Sequence, residues 1–313
     1  SSYMIISIKN NWEKAIKLHT HYLNNLICNF LNKSIPSSEG RDEAKKFILD
    51  VHHLLILAGK QDILESIDIY REYKHRLSIT PDISKQFDKE IRSIFNYNKF
   101  VRKTGSWNAY TLCKKSISRT CPYCNQAYAF SIQKKNRGFR PTLDHFYSKD
   151  DFPHLALVIN NLIPSCSSCN SSLKGTIDFF ANEHLNPLWD DEVINFVLTH
   201  EDGVLTLIDG MISSPEKIKI NISYDTTNIS IKNTANTFLI NERYQEMTIE
   251  AIEFATAKLN LEYAVSTGIS YFKNNSESSI LRFDKREYKK YLLGKLYLDI
   301  YNKMPNANIV NTR

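Results

Sequence analysis

Four cysteines stand in two pairs of identical internal spacing, Cys121-Pro122-Tyr123-Cys124 and Cys166-Ser167-Ser168-Cys169. Each pair can bring two thiolates to one ion from a tight turn, and two pairs complete a tetrahedral zinc shell. A common zinc ribbon separates its pairs by about 15–20 residues. Here 41 residues lie between Cys124 and Cys166. That is room for a hairpin and a loop, so a structural zinc would tie the start of the hairpin to the start of the following helix. Between the pairs stands Leu143-Asp144-His145-Phe146, and Asn170 follows the last cysteine directly. Cutting a phosphodiester requires a water nucleophile, a base to deprotonate it and a cation on the leaving oxygen. His145 suits the base, because imidazole titrates near neutral pH. Asp144 and Asn170 are hard oxygen donors of the kind that Mg2+ or Mn2+ takes, with waters completing the shell. In a regular strand Asp144 and His145 point to opposite faces, so they meet at one site only if the chain bends there.

Together with Asn160-Asn161-Leu162-Ile163-Pro164 and Lys174-Gly175, these residues resemble the HNH endonuclease family in its four-cysteine form. The family's order is a CxxC pair, Asp-His closing a first strand, Asn-Leu in a loop, and a second CxxC followed by His or Asn opening a helix. The resemblance covers roughly residues 119–176, about a fifth of the chain. It implies a ββα-metal fold, DNA cleavage with His145 as general base, and a bend that brings Asp144 to the same site. It implies further that Asn161 bridges loop backbone with its amide and helps orient the histidine. Asn160 is the alternative for that position, and Leu162 after Asn161 favours Asn161. Lys174, four residues after Asn170, shares a helical face with it and is expected to touch a phosphate near the metal. The common family spacing is three residues, and this chain carries one more. The stretch from Asp144 to Gly175, with Pro153-His154-Leu155-Ala156-Leu157 and Asn186-Pro187-Leu188-Trp189-Asp190-Asp191, looks like a subgroup of bacterial HNH nucleases. The HNH subunit of Septu anti-phage systems, also found beside some retrons, is of this type. That likeness implies a defence role and an ATPase partner.

Charge distribution points the same way. The 313 residues carry a net charge of +6. From Val101 to Arg140 there are nine basic residues (Arg102, Lys103, Lys114, Lys115, Arg119, Lys134, Lys135, Arg137, Arg140) and no acidic one, so the remainder is net −3 (6 minus 9). A local positive field overlapping the cysteine motif suits phosphate contact, and Lys134, Lys135, Arg137 and Arg140 are its candidate residues. Composition is ordinary for a globular chain, with 42% apolar and 24% charged residues. No apolar run reaches membrane-spanning length, and no signal-peptide pattern opens the sequence. A reducing cytoplasm is the expectation, where paired CxxC motifs favour metal over disulfide. Cys28 and Cys113 read as core residues. His154 and His184 read as structural histidines, and Asp150 and Asp151 as a solvated loop. Trp107, Tyr123, Tyr128 and Tyr147 read as the core of a small domain rather than base-stacking platforms.

The elements that must position these residues follow from periodicity. Residues 10–100 read as helical, with helices expected over Asp42–Ala58 (stopped by Gly59), Gln61–Arg76 and Pro81–Phe95, the last capped by Thr80. Ala127–Gln133 and Phe139–Phe146 read as strands joined by a turn at Lys134–Gly138, and Ser167–Lys174 as the start of a helix. Val204–Ile208 and Ile218–Ile222 read as further strands, with turns at Asp202-Gly203 and Asp209-Gly210. Asn233–Leu261 and Lys285–Tyr301 read as helical, and Asn302–Arg313 as a tail. The expectation is an α+β protein: a mainly helical chain with a central zinc-containing ββα-metal module and a short β-rich segment after it. Its segments are residues 1–105 (helical), 106–190 (nuclease module) and 191–313 (mixed β, then helical). The competing reading is a zinc module that binds nucleic acid or docks a partner without catalysis.

Overall fold

The computed structural model describes residues 3–103, 105–203, 207–269 and 277–303. After β1 (Tyr3–Met4) come four substantial helices, α1 (Ile16–Leu31), α2 (Glu39–Leu57), α3 (Lys60–Leu77) and α4 (Pro81–Ile94), then the short α5 (Tyr97–Phe100) and α6 (Ala109–Lys114). Their amphipathic patterns explain them: α4 buries Ser84, Phe87, Ile91 and Ile94 along one stripe. Ser38 caps α2 by accepting from the Arg41 amide. Thr80 does stand before α4, but its hydroxyl donates to the Leu77 carbonyl instead of capping. At the α2–α3 junction the left-handed residue is Ala58 (φ 51°), and Gly59 begins the next helix rather than ending the last. The rings of Phe47 and Phe87 meet 5.5 Å apart, and His154 sits 5.4 Å from Phe47 and 5.1 Å from Tyr70. A side chain of the motif region is therefore part of the helical core. Each large apolar residue buried there contributes roughly 1.5–3 kcal/mol.

The motif region departs from the expected hairpin. Its protruding β2 (Ile132–Lys134) and β3 (Arg137–Phe139) pair only with each other and are exposed throughout. The buried pair is β4 (Thr142–His145) with β5 (Leu162–Ser165), antiparallel, in register Asp144↔Ile163 and His145↔Leu162. The one long strand expected at 139–146 is broken at Arg140-Pro141, where proline removes an amide from any ladder. Behind β5 the chain enters a wide turn of π-helix, Ser168–Lys174, closed by the Gly175 amide on the Asn170 carbonyl. An i→i+5 turn holds one residue more than an α turn, which accommodates the additional residue before Lys174. Gly175 ends it at φ 51°, a conformation that L side chains rarely adopt.

The last third begins with β6 (Asp191–Glu192), parallel to β1. The ladder of this region joins β7 (Asn195–His200) to β8 (Ile218–Ser223). Residues 204–206 of the strand expected at Val204–Ile208 lie outside the described residues, and Leu207 onward forms α7 (Leu207–Ser213). Asp209-Gly210 is thus helical, not a turn. Gly210 packs so close to β7 that a Cβ there would meet the His200 ring at 2.2 Å. Then follow α8 (Ile229–Thr237), α9 (Ile240–Gln245), α10 (Thr248–Ser266), α11 (Glu277–Leu281) and α12 (Gly294–Lys303). The stretch Lys285–Lys290, expected as helix, is a 3-10 segment.

The chain is 54% helical and its sheets, among the described residues, are two-stranded, a mixed α+β protein. One apolar core runs through all three sequence segments, from Ile5 to Ile300. No helix among the described residues is long and apolar enough to cross a membrane.

Candidate metal centre and active site

The two cysteine pairs converge. The ligand atoms of Cys121, Cys124, Cys166 and Cys169 all lie within 4.8 Å of one another, and Cys124 Sγ stands 3.9 Å from Cys166 Sγ. A disulfide would place sulfurs at about 2 Å. A tetrahedron with zinc–sulfur bonds of about 2.3 Å places them about 3.8 Å apart. The spacing fits a four-thiolate zinc shell. Burial raises the Cys121 thiol well above its ordinary range, while hydrogen bonds from the other three cysteines pull Cys166 down. The surroundings supply donors suited to thiolates: the Arg243 guanidinium donates to Cys169 Sγ at 3.1 Å and the Gln126 backbone N–H to Cys124 Sγ at 3.4 Å. Arg243 had no sequence signal, because it lies on α9, far along the chain. Of the remaining cysteines Cys113 is buried as expected. Cys28 is exposed, on the solvent side of α1, and is not a core residue.

Asp144 is 3% exposed, and both carboxylate oxygens are engaged. Lys174 Nζ donates to them at 2.8 and 3.0 Å and reaches the carbonyls of His145 (2.6 Å) and Phe146 (3.1 Å). The Tyr123 hydroxyl donates to the same carboxylate at 2.6 Å. The sequence reading offered Lys174 as a phosphate contact. The structure corrects this: its ammonium is buried, and an ammonium has three protons, all directed at protein oxygens. Burial lowers its pKa, and Asp144 opposes that. Tyr123, inside the first CxxC, is fully buried, as expected, yet it also has a specific polar task. Three of the carboxylate's roughly four acceptor positions are taken. One remains on Oδ1. Asn170 lines the same cleft.

His145 ends β4. Its Nε2 lies 2.9 Å from the Ala156 carbonyl, which can only accept, so Nε2 carries the proton and Nδ1 keeps its lone pair. Burial lowers the imidazole to about 4, against the pull of the Ala156 carbonyl and Asp144. At neutral pH the ring is uncharged. The loop that presents Ala156 is clamped by Asn161: its Oδ1 accepts from the Tyr147 amide (2.8 Å), and its Nδ2 donates to the carbonyls of Tyr147 (3.0 Å) and Leu155 (3.2 Å). Asn160 instead donates to the Ala58 carbonyl at the end of α2. The helical layer buttresses the loop from outside, through His19 on the Leu157 carbonyl (2.7 Å), Ser66 on His154 (3.1 Å) and Trp12 on the Leu162 carbonyl (3.1 Å). His154 and His184 are both structural. The latter stacks on Phe179 and bonds Thr237.

Asp144, His145 and Asn170 line one cleft of about 670 Å³, with Tyr97, Arg140, Lys149, Asp150, Asp151 and Asp178 among its other walls. Asp150 and Asp151 are exposed, but at this mouth. Of the basic candidates, Lys134, Lys135 and Arg137 are exposed on the β2–β3 arm, while Arg140 is half-buried at its base. Tyr128, expected in the core, is 48% exposed. No protein-family model, curated protein or solved structure matches the chain.

Proposed function

We propose that the chain is a metal-dependent HNH endonuclease that hydrolyses DNA phosphodiesters, with a structural zinc on its four cysteines. The observation that carries this reading is His145: a neutral imidazole, oriented by the Ala156 carbonyl, in a cleft that it shares with Asp144 and Asn170. In the proposed ββα-metal module, β4 and β5 supply the Asp-His pair and its support, and the π turn supplies Asn170. His145 Nδ1 takes the proton of the attacking water. Asp144 and Asn170 would hold Mg2+ or Mn2+, which supplies positive charge to the leaving oxygen when bound. Asn161 fixes the loop that sets the imidazole, and Arg140 adds positive charge at the cleft wall. A positioned base contributes about 10²- to 10⁴-fold in rate. His145→Ala is therefore expected to retain zinc and the wild-type melting temperature while nicking plasmid DNA in Mg2+ or Mn2+ buffer about 10²- to 10⁴-fold more slowly. Equal nicking rates would remove His145 from the chemistry.

A second reading has an observation of its own. Lys174 neutralises Asp144 from inside the protein, as a zinc module that binds nucleic acid without cutting it would allow. Binding of plasmid that persists without any nicking, in either divalent ion, would favour it. The family likeness extends the first proposal to an effector of bacterial anti-phage defence that works with an ATPase partner in the cytoplasm. Co-purification of a stoichiometric ATPase from the native host tests that extension.

A further inference from the structure

The exposed arm carries more than charge. In the β2–β3 pair, Ile132 stands opposite Phe139 and Lys134 opposite Arg137. Strand alternation puts residues two apart on the same face, so Ile132, Phe139, Lys134 and Arg137 share one side of the arm. Ile132 and Phe139 are 53% and 54% exposed. The apolar surface continues along the preceding segment: the Phe139 ring lies 5.8 Å from Phe130, and Phe130 lies 5.3 Å from Tyr128. The Arg119 guanidinium lies over both Tyr128 (5.3 Å) and Phe130 (5.9 Å). The result is a row of three aromatic rings flanked by Arg119, Lys134 and Arg137, with no carboxylate anywhere between residues 101 and 140. The arm is a built feature. Gly138 admits no side chain, since a Cβ there would meet the Ile132 carbonyl oxygen at 2.3 Å, and Lys103 Nζ ties the turn at the Asn136 carbonyl.

Exposed rings, Tyr128 and Phe139, beside cations match the chemistry of unpaired nucleobases: a π-face for a base and a positive charge for a phosphate. A fully paired duplex hides its base faces and would leave the rings without a partner. We infer that the Tyr128–Phe130–Phe139 row and its basic flank form a platform for a nucleic-acid strand with unpaired bases, which the arm delivers to the cleft. The inference rests on the nuclease reading for the word "delivers", and on the arm alone for binding. The geometry of delivery is short. Phe139 precedes Asp144 by five residues, a span of at most about 17 Å. A base stacked on Phe139 thus lies within about five nucleotides of the candidate site, at roughly 3.4 Å per stacked nucleotide. Arg140, between arm and cleft, lines that path.

The test separates binding from cutting by using the full-length His145→Ala chain in buffer without added Mg2+ or Mn2+. Fluorescence anisotropy is measured with labelled 20-mer single-stranded DNA, single-stranded RNA of the same sequence, and the blunt DNA duplex. Tighter binding of at least one single strand than of the duplex is expected, and the DNA and RNA arms show which sugar is preferred. Phe139→Ala and Tyr128→Ala, both at exposed positions, should each weaken single-strand binding by at least about fivefold and duplex binding by less. Phe139→Trp, which keeps a stacking ring, should bind like the parent. Replacing Lys134, Lys135 and Arg137 by Gln should lower the salt slope of single-strand binding by about 2. Duplex binding equal to or tighter than single-strand binding, or alanine variants that leave the single-strand affinity unchanged, overturns the platform. Neither result depends on whether the wild-type chain cuts.

Discussion

Two clusters of chargeable groups lie close together in this protein, and they are built in different ways. The four cysteines gather their sulfurs within 4.8 Å of one another, and the Arg243 guanidinium donates to one of them, Cys169. Asp144 has its counter-ion built in, as Lys174. The first cluster has the arrangement of a four-sulfur metal shell, while the second carries its counter-ion within the protein. The cysteine pairs lie at the two ends of the 121–169 excursion, so their ion is expected to hold the fold together. A divalent ion at Asp144 has to share its ligand with an ammonium, so it is expected to bind weakly and to add little to stability.

The largest effect that sets the clusters apart is metal removal. Structural zinc in small modules supplies roughly 10–16 kcal/mol of apparent binding energy that is also folding energy. Stripping the zinc with a strong chelator, or replacing Cys121 by Ser, should abolish the cooperative thermal transition. Removing Mg2+ should leave the melting temperature within a degree or two. Equal sensitivity to both ions would erase the distinction between the clusters.

Next in size is the Asp144–Lys174 pair. Taking one partner from a buried ion pair costs about 3–5 kcal/mol, because the other charge is left uncompensated. Lys174→Met should destabilise by that order in urea unfolding, and Asp144→Asn/Lys174→Met should recover most of the loss. The single variant also sharpens the comparison. With the ammonium gone, Asp144 needs an external cation, so millimolar Mn2+ should raise the melting temperature of Lys174→Met by several degrees more than that of the wild type. An identical Mn2+ response in both proteins would mean that Lys174 does not compete for the carboxylate.

Much of this was legible in the residue order, for a physical reason. Metal shells impose residue types and short spacings, and the two CxxC pairs that converge here are local patterns that survive in a one-dimensional string. The long helices were legible as well, since α2, α3 and α4 carry clean periodicity, but their ends were not: Ala58 rather than Gly59 closes α2, and Thr80 does not cap α4. Pairing across a loop was not. The partner of β4 is β5, on the far side of a loop, whereas the sequence offered the adjacent Ala127–Gln133 as the nearer choice. Nor did the string reveal that Lys174 is buried, because a lysine reads as solvated until its oxygen partners, Asp144 and the carbonyls of His145 and Phe146, are gathered by tertiary structure. Tyr128 misled in the opposite direction. An aromatic beside a cysteine motif resembles core, yet this one, bridged to Thr120 ahead of the arm, is exposed.

The smallest effect comes from the buried histidines, and it tests whether acid acts through them or through the cysteine cluster. Burial lowers His19, His145 and His184 to about 4 and His154 to about 3. An unfolded chain protonates these residues near 6.5. Below that pH the unfolded state binds more protons than the folded one, so stability falls as pH drops from about 6.5 towards 4, and it is fully present above 6.5. Each fully neutral histidine contributes a slope of at most about 1.4 kcal/mol per pH unit. His19 is the cleanest probe, since it accepts from Trp107 Nε1 at 3.1 Å, lies 2.7 Å from the Leu157 carbonyl, and touches neither cluster. His19→Gln should be less stable than the wild type at pH 7 and should show a shallower decline between pH 6.5 and 4. Zinc content, measured in the same samples, should stay constant where the two slopes diverge. If the slopes are equal and the decline follows zinc release, acid acts on the thiolates, and the cysteine cluster accounts for the pH response as well as for the fold.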